Sequence, residues 1–251
     1  MLPMWQRRPS GVIGLKRLDA LSNYYTCLYQ PILSADKPAA QAGLAAIVAH
    51  LIAVRSSWSA IDLKPLPADA WYLDHLMAAF AAHRMRPQRY VAFSNWYLPA
   101  AGLDFESYFA SRRKKMRSTV RSKTNQLASK FAVEIRIIDQ PEDVESGHEH
   151  YVRVYNSSWK VPEPYPDFTP GLMRYLAARG FLRLGLLFLD VDRVQVVDFL
   201  SGDDEYKAQW MSHKRERIGI EIINARSLSG LAVMARRRVG AIKRQLTSPA
   251  P

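Results

Sequence analysis

VVDFLSGDDEYKAQW, residues 196–210, sets a short apolar run against a Ser-Gly break, a carboxylate cluster, and then Tyr206, Lys207 and Trp210. Val196, Val197, Phe199 and Leu200 suit a buried strand, and Ser201 and Gly202 suit its exit. Asp203 and Asp204 stand where acidic residues support the first turn of a helix. A strand thus delivers Asp198, Glu205, Tyr206 and Lys207 to one edge of a sheet. An aspartate on an apolar strand needs a partner if buried, and Lys207 or an arginine is the natural candidate for Asp198. Such a pair is most often structural, but it can also orient an amine and accept its proton.

Working outward, residues 182–189 (LRLGLLFL) and 193–200 (RVQVVDFL) are both strand-like and close enough in sequence to form a hairpin, and residues 215–223 alternate as a strand. Upstream, residues 39–54 carry Leu44, Ile47, Val48, Leu51 and Ile52 at helical spacing, followed by a short strand pattern at 58–63. The device repeats, with a helix over 68–84 and a strand over 88–98 (QRYVAFSNWYL). Residues 12–21 suit a strand or extended entry and 22–30 a loop. Helices alternating with strands argue for an α/β layer architecture.

The longest predicted helix covers residues 105–130, with Phe105, Phe109, Met116, Val120, Leu127 and Phe131 as a narrow apolar stripe. From residue 112 to 130 it carries Arg112, Arg113, Lys114, Lys115, Arg117, Arg121, Lys123 and Lys130 and no acid. A strand over 132–138, a helix over 141–159, an extended proline loop (VPEPYPDFTP, 161–170) and a short helix over 171–178 follow. A basic amphipathic helix over 228–246 and a disordered TSPAP tail close the chain.

At 251 residues and 48% hydrophobic content the chain can build proper cores, as one large domain or two small ones. Its net charge of +12 favours polyanionic partners: nucleic acid, an anionic membrane surface or a phosphate-bearing cofactor. With Cys27 as the single cysteine there is no disulfide framework and no Cys/His grouping of zinc spacing, which fits a reducing cytoplasm. Arginines stand where a signal peptide would have its apolar core, and no apolar run reaches the ~18 residues of a membrane span, so a cytoplasmic location is expected. Walker, GxGxxG, GxSxG and HExxH motifs are absent, and His148 and His150 point to different faces of a helix, so no metal is expected. The cationic helix face is either simply solvated or a grip for phosphates. Few aromatics interleave its charges, which disfavours specific nucleic-acid binding by stacking. The C-terminal helix either docks on its own domain or lies on an anionic membrane. Trp159, in NSSWK (156–160), either caps a core or lines a pocket.

FESYFASRRKKMRSTVRSKTNQL, then NSSWK, then VDFLSGDDEYKAQWMSHKRERIGIEIIN together resemble the GNAT-type acyltransferases grouped with bacterial cellulose-synthesis accessory proteins. SNYYTCLY and FSNWYLP resemble the upstream half of such proteins. The resemblance implies tandem GNAT-like α/β units: a partial first unit over 1–104, a second over 105–225, and the basic helix and tail over 226–251. It also implies metal-free transfer of an acyl group from a coenzyme A thioester to a small-molecule or cell-envelope amine, in polysaccharide biosynthesis. That chemistry needs a neutral amine beside the thioester, an N–H aimed at the oxyanion and a cradle for the pyrophosphate. On the resemblance, Asp198 and Glu205 hold or deprotonate the amine, Tyr206 protonates the leaving thiolate, and Trp159, Lys160 and Lys207 bind the acceptor.

The sequence departs from the family between Asp190 and Arg193, where further strands and a helix normally supply the oxyanion N–H and the cradle. The second unit is therefore expected to be incomplete, and the upstream unit is expected to be longer in the family. The cradle is either lost or built elsewhere, with Arg112, Arg113 and Arg117 as candidates. Besides an acyltransferase, the alternatives are a non-catalytic binding or scaffold protein of that type, and a basic nucleic-acid or membrane-surface module.

Overall fold

The structure, a computed structural model, describes residues 1–10, 15–134, 136–159, 161–181 and 194–235. It is an α/β protein whose chain divides into two compact units, Met1–Pro99 with Val197–Pro251, and Ala100–Val196. The split expected at residue 104 falls near the first seam, but the segment after 197 returns to the first unit, so the compact units do not follow the 1–104 and 105–225 division.

The first unit is built on a mixed six-stranded sheet in the order β1-β2-β3-β6-β4-β5. Its strands are β1 (Met4–Ser10), β2 (Leu15–Ala20), β3 (Ala60–Pro67), β4 (Arg86–Pro99), β5 (Val196–Ser201) and β6 (His213–Ile223). β1 and β2 form an antiparallel pair, a strand pair of which sequence reading found only β2. Between β2 and its parallel neighbour β3 runs helix α1 (Lys37–Ala53), as a parallel crossover requires. Asp36 caps α1 by accepting from the Ala39 N–H at 2.8 Å, and Pro38 stands in the first turn, where no donor is lost. Helix α2 (Tyr72–Ala82) joins β3 to β4. Both β3 and β4 run antiparallel to β6, which fills the slot between them.

Alternation along β6 sends Ile218, Ile220 and Ile222 into one core with Ile61, Leu63 and Leu66 of β3, Leu44, Val48 and Leu51 of α1, and Leu73, Leu76 and Phe80 of α2. Trp58 completes it and satisfies its indole N–H on the Leu51 carbonyl at 2.9 Å. Arg217, Gly219 and Glu221 take the opposite, polar face. β5 differs from expectation: Val196 and Leu200 are exposed, because the strand lies at the sheet edge with one neighbour. The short helix α7 (Glu205–Trp210) follows it. Residues 228–235 are helical, the start of the expected C-terminal helix. Its cationic remainder and the tail lie outside the described residues, as do the 182–189 strand and the seam at 190–193.

In the second unit the single helix expected over 105–130 is two. Helix α3 (Phe105–Ala110) is capped by Asp104 on the Ser107 N–H at 2.7 Å, and α4 (Lys114–Lys130) begins after a break at Ser111. Of α4's side chains only Met116 is buried, while Leu127 and Phe131 are exposed, so the apolar stripe is covered at its N-terminal end alone. Residues 132–138 form no strand among those described. Helices α5 (Val144–Asn156) and α6 (Phe168–Ala177) pack through Val144, Met173 and Ala177, with an Arg174–Glu145 ion pair outside. Among the described residues no helix is long and apolar enough to cross a membrane.

Candidate functional site

Asp198 sits where three strands of the first unit meet. Asn95 of β4 donates its amide to Asp198 Oδ1 at 2.6 Å and to the Leu200 carbonyl at 2.7 Å. Arg215 of β6 donates Nη2 to Asp198 Oδ2 at 2.5 Å and Nε to Asn95 Oδ1 at 2.6 Å. The Leu200 N–H closes the set on Asp198 Oδ1 at 2.7 Å. Arg215 also stacks on Tyr97, with its guanidinium 4.3 Å from the ring centre. The partner of Asp198 is therefore an arginine and not Lys207. Burial pushes the Asp198 pKa up, but the Asn95 amide, the Leu200 N–H and Arg215 outweigh it and hold the carboxyl below the ordinary aspartate value. A carboxylate so held is a poor proton acceptor, and its geometry is that of a clamp tying β5 to β4 and β6.

Leu200 and Gly202 both take positive φ at the exit of β5, 58° and 108°, and Gly202 is the residue type for which that is cheap. The turn is fastened from α7: Lys207, buried, donates Nζ to the Ser201 carbonyl at 2.5 Å and lies 3.3 Å from Asp204. Asp203 accepts from Lys214 at 2.6 Å and from the Trp96 indole at 2.8 Å, and these two partners hold its carboxyl below the ordinary value. What α7 leaves open is Glu205 and Tyr206, both exposed, with Tyr206 beside Phe199.

The remaining expected site residues belong to the second unit. Trp159 is 78% exposed after the end of α5, which does not suit a core cap, and Lys160 lies outside the described residues. Arg117 donates to the Ala110 carbonyl at 2.7 Å and so caps α3. Arg112 lies over the Tyr108 ring and bonds Ser111, and Arg113 is exposed. Two of the three arginines expected to grip the phosphates of coenzyme A are thus engaged within their own helix junction, so the trio does not fit a ready-made cradle.

Sequence reading missed Asn95, Arg215, Arg217 and a row of carboxylates on the polar face of the sheet. Asp19, Asp62 and Glu221 stand in register on adjacent strands β2, β3 and β6, an arrangement of like charges that needs compensation. Arg17 bridges Asp19 and Asp62, and the Tyr90 hydroxyl donates to Asp62. Burial, then Asp62, raises the Tyr90 pKa. A cleft of about 290 Å³ opens beside Asp19 and Asp62, with Arg7, Asn23 and Lys64 at its wall. The available signal was the polar residues interrupting apolar strands: Asp62 in AIDL, Asn95 in FSNWYL and Arg217 and Glu221 in RIGIEII. Among the described residues no cluster of His, Cys, Asp and Glu is placed to hold a metal ion.

No family model, curated protein or solved structure matches the chain.

Proposed function

We propose that the chain is an acyltransferase-like binding protein of tandem GNAT-like descent, whose β5–α7 edge holds an amine-bearing ligand without using Asp198 as a base. The clamp on Asp198 supports this most. A carboxylate accepting from Asn95, Leu200 and Arg215 serves the scaffold, and Lys207 is spent on the Ser201 carbonyl. Glu205 and Tyr206 remain as an exposed carboxylate and phenol, the pair that an ammonium group would find through charge and ring face.

A second function, N-acyl transfer from an acyl-CoA to that amine, is favoured by the same exposed pair, which supplies a proton acceptor and a proton donor one residue apart.

Calorimetry with millimolar acetyl-CoA and a thiol-release assay over a panel of amines separate the two. Amine binding without thiol release is the expected result. Thiol release that survives Asp198→Asn and is lost in Glu205→Gln selects the transferase. Release lost in Asp198→Asn at unchanged stability would overturn the scaffold role of Asp198.

A further inference from the structure

Arg217 of β6 is 5% exposed, yet its Nε has no hydrogen-bond partner, and among the described residues no ion pair holds its guanidinium. Its cross-strand neighbours are Phe93 of β4 and Pro67 of β3, neither of which offers a side-chain acceptor. Arg215, two residues away on the same face, brings a second positive charge. The carboxylates whose charges act on it are accounted for: Asp198 is taken by Arg215, Asn95 and the Leu200 N–H, and Asp69 is exposed to water. Burial, then repulsion from Arg215, lowers the Arg217 pKa against the weaker pull of Asp198 and Asp69. A buried Nε–H of a charged guanidinium left without an acceptor is costly for a fold. Its donors form a planar fork matched to an oxyanion.

We propose that Arg217, backed by Arg215, is the anion-binding element of a small-oxyanion site at the junction of β3, β6 and β4, taking a carboxylate or phosphate group of a ligand. Cys27 marks this place. Its half-buried thiol lies within electrostatic reach of Arg217, Lys207 and Asp198 and beside the Ser201 N–H. The site does not depend on acyl transfer or on amine binding at Glu205. It concerns a different residue and the opposite charge, so a chain that binds no amine can still bind the anion.

Because Cys27 is the single cysteine, its alkylation by the neutral reagent iodoacetamide reports on this site alone. The full chain is titrated with sodium phosphate and, separately, sodium acetate, with sodium chloride adjusted to constant ionic strength. At saturation one of the two is expected to raise the Tm by on the order of 5 °C and to slow Cys27 alkylation severalfold, and which one does so tells phosphate from carboxylate. Arg217→Met is expected to fold, to melt without ligand at or above the wild-type temperature, and to lose both responses. Arg217→Lys, which keeps the charge but not the fork, is expected to keep a weakened response. Three outcomes overturn the proposal: wild type responding to neither anion, Arg217→Met responding as wild type does, or Arg217→Met melting well below wild type, which would make the guanidinium a structural element.

Discussion

Asn95 shows how much one buried amide can carry. It is 1% exposed, donates to Asp198 and Leu200 and accepts from Arg215, so three chain segments share it. Asn95→Ala leaves a carboxylate, a carbonyl and a guanidinium each short of a partner, and a loss of about 2–4 kcal/mol in urea unfolding is expected. The clamp also carries a pH signature. Because Asp198 titrates lower in the folded chain than in the unfolded one, its contribution is present above the ordinary aspartate value of about 3.9 and is lost as pH falls through the depressed folded value. Stability followed from neutral pH into acid should therefore fall less steeply at the acid end in Asp198→Asn than in wild type. Asp198 was legible as a carboxylate in need of a cation. Asn95 was not, because a lone Asn in an apolar strand gives no hint of which distant strand it will face.

At the scale of the element, the pairing of β4 with β6 depends on a missing side chain. A Cβ on Gly219 would stand 2.1 Å from the Tyr90 ring, which crosses β6 to reach Asp62. Gly219→Ala must therefore push Tyr90 aside and strip Asp62 of one of its donors. We expect a loss of about 1–3 kcal/mol in chemical denaturation. Tyr90→Ala combined with Gly219→Ala should cost less than the sum of the two single changes, since the clash is then gone. Additive losses would place the strain elsewhere. Most elements followed from periodicity: α1, α2, β3, β4 and β6 all lie close to their predicted spans. The 105–130 helix did not, since Asp104 and Ser111 begin and end a short helix by local capping that a seven-residue apolar spacing does not reveal. β1 was missed because its MWQRRPS has no alternation to read.

At the scale of the molecule, β6 decides the first unit. It enters the slot between β3 and β4 from more than 100 residues downstream and brings Ile218, Ile220 and Ile222 into the core, a contribution on the order of 5–9 kcal/mol, comparable with the whole stability of an ordinary domain. A fragment of residues 1–104 lacks that strand, and its far-UV circular dichroism should show no cooperative urea transition. The base-side limit of stability also belongs to the whole. Burial raises the pKa of Tyr29, Tyr72 and Tyr90, Tyr72 to about 12, against about 10 in an unfolded chain. Raised folded values mean stability that is complete below pH ~10 and lost as pH rises beyond it. Tyrosinate absorbance should therefore appear together with loss of circular dichroism. By itself the amino-acid sequence determined the α/β class, most helix and strand positions, and the delivery of Asp198, Glu205, Tyr206 and Lys207 to a strand end, because periodicity and turn chemistry are local. Only the tertiary structure decided that Asp198 is clamped by Arg215 and Asn95, that Lys207 is spent on a carbonyl, and that Arg217 is buried with its Nε unpaired. The clamp and the place of Arg217 come from strands distant in sequence, and strand order is set by which apolar faces bury together. The Lys207 contact spans six residues but depends on the turn at Gly202, which no periodicity reveals.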